Sequence, residues 1–108
     1  MNDNSDHPKA IFALRQAQQA LREGNRASAY RWAAQAARLA PNLEAPWLLL
    51  ASVSNPKASI HYLQQALQIN PSSERARQGM HWAIRRYRDA RESKRGDGEV
   101  HLDDTARV

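Results

Sequence analysis

A ten-residue phrase occurs twice in this chain, thirty residues apart. Trp32-Ala33-Ala34-Gln35-Ala36-Ala37-Arg38-Leu39-Ala40-Pro41 is answered by Tyr62-Leu63-Gln64-Gln65-Ala66-Leu67-Gln68-Ile69-Asn70-Pro71. An aromatic residue, a glutamine, an alanine, a large aliphatic residue and a proline recur in register. Self-similarity at such a period marks stacked helical units, each burying a face against its neighbours. A chain of this kind presents a surface and carries no built-in chemistry.

At 108 residues there is room for one small domain with a modest core. Alanine dominates the 42% hydrophobic content and there is one phenylalanine, which suits closely packed helices. Without cysteine, neither a disulfide framework nor a thiolate metal site is available. No apolar run reaches the roughly 20 residues of a membrane span. The polar stretch 1–9 lacks a signal peptide's apolar segment, so a cytoplasmic protein is expected.

Periodicity and punctuation predict five helices. The first covers 8–22, with Asp6 as cap, Pro8 in the first turn and Ile11, Leu14, Ala17 and Leu21 at helical spacing. Gly24-Asn25 ends it. The second covers 27–40, with Ala29, Trp32 or Ala33, Ala36 and Leu39 on its buried stripe, and Pro41 breaks it. The third covers 43–53, with Trp47, Leu50 and Ala51 inward, before the turn Ser54-Asn55-Pro56. The fourth covers 57–69 and buries Ile60, Leu63, Ala66 and Leu67. The fifth covers about 73–94 with Ser73 as cap. Residues 1–8 are expected as a flexible N-terminus, and 96–108, with two glycines and mixed charge, as a flexible acidic tail.

Ala17, Gly24-Asn25, Ala29, Ala36, Leu39 and Pro41 resemble the helix-turn-helix signature of the tetratricopeptide repeat, usually about 34 residues long. A second copy matches through Trp47, Leu50, Ala51, Ala66, Ile69 and Pro71, and is shortened by about one helical turn around 52–57. The resemblance implies an all-α fold: a short right-handed α-solenoid of antiparallel helix pairs over 9–95. Repeat 1 takes about 10–43, repeat 2 about 44–73, and a capping, solvating helix about 74–95. Small residues at Ala17, Ala29, Ala36, Ala51 and Ala66 are then crossing points between paired helices.

In that family the first helix of each unit lines a concave groove. The resemblance therefore nominates Ile11, Leu14, Arg15, Gln18 and Arg22 on the first helix. It nominates Leu48 and Ser52 on the third, and Gln78, Trp82, Arg85 and Arg86 on the fifth. Some members clamp a peptide's terminal carboxylate with a fixed set of lysines and asparagines, and that set is missing here. The expected function is a non-enzymatic protein-interaction scaffold holding a partner segment in the groove, with an acidic protein or peptide as one partner class.

Charge opens an alternative. Residues 73–95 hold eight basic residues against three acidic ones, and 96–108 hold four acidic residues against Arg107. The basic helix can simply be solvated, attract an acidic partner or the chain's own tail, or bind the phosphates of nucleic acid or of an anionic surface. Trp82 and Tyr87 stand among these arginines, where they can stack on bases or pack on the fourth helix. Two units with one cap also leave repeat ends open, so a homo-oligomer is expected through an exposed end.

Catalysis and metal binding find no pattern. The four histidines, at 7, 61, 81 and 101, are scattered, and none has the spacing of a helical metal site. His101-Leu102-Asp103-Asp104 is read as solvated tail. There is no glycine-rich phosphate loop, Gly-x-Ser-x-Gly elbow or cysteine nucleophile. No enzyme activity and no cofactor are expected.

Overall fold

The computed structural model describes residues 3–102, with side-chain surroundings for 6–93. Five helices follow in chain order: α1 (Asp3–Arg22), α2 (Arg26–Leu39), α3 (Glu44–Ser52), α4 (Pro56–Ile69) and α5 (Glu74–Leu102). The described residues contain no strand, so the fold is all-α.

The thirty-residue period recurs in the hydrogen bonds that start and stop the helices. Asn25 caps α2 by accepting from the Ser28 N–H at 3.0 Å, and Asn55 caps α4 by accepting from the Ala58 N–H at 2.9 Å. Each supplies a partner for an amide that the first turn leaves unpaired. At the other end, the Ala40 N–H donates to the Ala36 carbonyl and the Asn70 N–H to the Ala66 carbonyl, both at 2.9 Å. Pro41 and Pro71 follow and cannot continue the helix. Gly24, at φ 80, takes the left-handed turn between α1 and α2, where a side chain would be strained. Ser73 caps α5 as expected, accepting from the Ala76 N–H at 3.1 Å.

Both terminal helices run further than their expected bounds. α1 begins at Asp3, so Asp6 lies inside it rather than capping it, and Pro8 sits within the helix. A helix dipole favours the Asp6 carboxylate near this end. α5 continues through Gly96 and Gly98 to Leu102, past the expected end at 94. Each interior glycine costs about 1 kcal/mol relative to alanine, too little to end the helix. Residues 103–108 of the expected tail, and 1–2 of the N-terminus, lie outside the described residues.

Each helix packs on the next in sequence, and α1 touches α3 as α3 touches α5. Ala17, Ala29, Ala36 and Ala66 are fully buried at the crossings, and Ala33 takes the inward place that it shared with Trp32. Trp32 lies half-buried, edge-on to Phe12 at 5.8 Å. On α3, Pro46, Leu49 and Leu50 fill the interior. Trp47 is only half-buried, and its indole N–H donates to the Pro41 carbonyl at 3.0 Å.

Two apolar clusters result, one among α1, α2 and α3, the other among α3, α4 and α5. Trp47 and Tyr62, with ring centres 6.1 Å apart, pack against both and join them. A polar latch ties the start of α3 to the start of α5. Glu44 accepts from Asn70 Nδ2 at 3.1 Å and from the Ser73 hydroxyl.

Candidate functional site

A cleft of about 360 Å³ opens between α3 and α5, floored by α4. On α5, Arg75, Gly79, Trp82 and Arg86 follow steps of four, three and four residues, which place them on one face. On α3, Leu48, Ala51 and Ser52 form the opposite wall, and Ser59 and Leu63 of α4 close the floor. Gly79 lets the helices approach: a Cβ there would stand 3.1 Å from Leu63 Cδ2.

The walls of the cleft are apolar in effect. The Ser52 hydroxyl donates to the Leu49 carbonyl at 2.7 Å, and Ser59 donates to the Ala51 carbonyl at 2.6 Å. Both serines are engaged with main chain, which leaves Leu48, Ala51, Leu63, Trp82 and Ala83 to meet a ligand. Trp82 is 64% exposed although it is the largest side chain on this face. Trp82 thus stands as an apolar ring open to water beside the cleft.

Charge sits at the rim. Arg75 and Arg86 line the cleft and are exposed. Among the described residues the one ion pair is Arg77 with Glu74, at 3.6 Å, so neither rim arginine has a carboxylate within bridging distance. Gln78, Trp82 and Arg85, with His81, frame a smaller hollow of about 230 Å³ on the same helix.

The nominated residues thus divide. Leu48, Ser52, Trp82 and Arg86 meet in the cleft, and Gln78 and Arg85 flank it. Ile11, Arg15, Gln18 and Arg22 keep a common stripe on α1, half-buried at Ile11 and exposed at the other three. They do not line this cleft. Leu14 is a correction: only 9% exposed, it packs in the core with Ala13, Ala17 and the alanines of α2. Its spacing from Ala10, Ala13 and Ala17 puts it on the stripe facing α2. Arg75 and Gly79 are not among the nominated groove residues, yet both fall on the Trp82 helix face, seven and three residues earlier.

A larger cavity, about 680 Å³, lies between the start of α4 and the later part of α5, lined by Ile60, His61, Tyr62, Tyr87, Ala90 and Arg91 among others. None of the nominated residues reaches it. At its edge the Tyr62 hydroxyl is 3.1 Å from that of Tyr30. This hydrogen bond, then burial, then the neighbouring Tyr30 charge push the Tyr62 pKa up to about 12. Among the described residues no three His, Asp or Glu side chains gather as metal ligands. Asp103 and Asp104 of the tail lie outside that description.

Comparison of the chain with protein-family models, with curated proteins and with solved structures found no match. Geometry and chemistry at the cleft are what bear on function.

Proposed function

We propose that this chain is a tetratricopeptide-repeat-like interaction scaffold that holds a segment of a partner protein in the cleft between α3 and α5. The single observation that carries the reading is the exposed Trp82 standing over an apolar cleft with Leu48 opposite. Large aromatic side chains at such positions contribute disproportionately to binding. Both serine hydroxyls of the cleft already serve main-chain carbonyls, which supports binding without catalysis. A cytoplasmic setting suits a cysteine-free chain with no described helix long and apolar enough to cross a membrane.

The test is selection from a random peptide display library against the full chain, followed by binding to Trp82→Ala and Leu48→Ser. Selected peptides should lose affinity for both variants while far-ultraviolet circular dichroism stays unchanged. Peptides that bind the variants as well as the original chain would remove the cleft from the reading.

One observation favours a second reading. Arg85, Arg86, Arg88 and Arg91 are exposed on α5 beside Trp82 and Tyr87, a basic helix suited to a nucleic-acid or anionic surface. Phosphate binding would weaken steeply with salt, and a flat salt dependence for an oligonucleotide would eliminate it. A second copy covering the open repeat end would bury exposed apolar side chains of α5 such as Ile84, 41% exposed. Light scattering that shows a monomer at every concentration would dismiss that dimer.

A further inference from the structure

We infer that the cleft selects an acidic segment bearing one large apolar anchor, with carboxylates on both sides of it. The inference rests on the scaffold reading and specifies its ligand. The anchor follows from the lining: Leu48, Leu63 and Ala83 offer carbon, and Ser52 and Ser59 offer no free hydroxyl hydrogen. A phosphate would find no free hydroxyl donor at that floor, whereas a leucine or phenylalanine side chain would lose only water.

The acidic flanks follow from the rim. Arg75 and Arg86 lie at opposite ends of the same cleft, both exposed, and among the described residues neither has a carboxylate within bridging distance. Eleven residues of helix separate them, about 16 Å along the axis. An extended peptide crosses that distance in about five residues. An anchor midway therefore carries its carboxylates about two or three positions before and after it, each within reach of one guanidinium. Gly79, between the two arginines, keeps α5 close against Leu63 and leaves the centre of the cleft clear.

The experiment measures fluorescence anisotropy of short synthetic peptides on the full chain. One set carries leucine or phenylalanine flanked by aspartates at the stated spacing. Matched sets replace the aspartates by serine or by lysine, or the anchor by alanine. The acidic anchored peptide should bind best, and each replacement should weaken binding by about tenfold or more. In Arg75→Glu/Arg86→Glu the preference should invert, so that the lysine-flanked peptide binds better than the aspartate-flanked one. A gained preference cannot come from an unfolded variant.

Serine-flanked peptides that bind as tightly as acidic ones would overturn this inference and leave the scaffold reading standing. If no anchored peptide of any charge binds, both fall. Tighter binding of an oligothymidylate, lost in the same double variant, would replace the peptide with a nucleic acid.

Discussion

The hydroxyls of Tyr30 and Tyr62 meet at 3.1 Å, joining α2 to α4 across thirty-two residues of chain. Tyr62 also packs against both apolar clusters, so this contact sits where the two halves of the fold are joined. The Tyr30 hydrogen bond and partial burial favour the neutral phenol and push the Tyr62 pKa up to about 12, from an ordinary 10.0. A raised pKa of this kind contributes stability that is fully present below pH 10 and is lost as pH rises through 12. Denaturation midpoints should therefore fall between those values, and the fall should be smaller in Tyr30→Phe, which removes the hydrogen bond. Identical alkaline profiles for the two proteins would contradict the coupling.

Glu44 should matter more than an ordinary surface glutamate. Its carboxylate accepts from Asn70 and from Ser73, the residue that caps α5. Glu44→Ala should cost about 1–3 kcal/mol, because it leaves part-buried donors unsatisfied. Urea denaturation would measure it, and a loss below about 0.5 kcal/mol, the usual surface value, would show the latch to be idle.

The alanine crossings predict intolerance of size. Ala36 and Ala66 are fully buried at equivalent places in the two units. Ala36→Leu or Ala66→Leu should overpack the crossing and cost about 1–3 kcal/mol. Thermal melting would show the loss, and an unchanged melting temperature in both would place the helices further apart than described.

Leu14 and Trp82 should separate stability from binding. Leu14→Ala removes a core side chain and should cost about 2–5 kcal/mol. Trp82→Ala changes an exposed ring and should stay within about 0.5 kcal/mol while abolishing peptide binding. A Trp82 variant as unstable as the Leu14 one would make the ring structural.

Much of the fold was legible because its determinants are local. Pro41 and Pro71, which lack the amide hydrogen a further turn would need, stand just past the ends of α2 and α4, and the buried alanines fall at helical spacing. Ser73 was likewise visible as a cap, since its hydroxyl needs only an amide three residues away. The limits of α1 and α5 were less legible, because Pro8 and the two late glycines weaken a helix without dictating where it stops.

The candidate site was legible only in part. The family resemblance nominated Trp82, Arg86, Leu48 and Ser52, and helical period sets each of the two pairs on one face. Whether those faces meet depends on how α3 and α5 lean on α4, which no spacing within one helix contains. Leu14 shows the difference: its position suits a groove or a core, and the packing of α2 against α1 put it in the core. Helices and turns were thus determined by the sequence through interactions a few residues long. The cleft, its arginine rim and the Tyr30–Tyr62 contact were decided by tertiary packing, because they join residues from different helices whose approach is set by side-chain volumes.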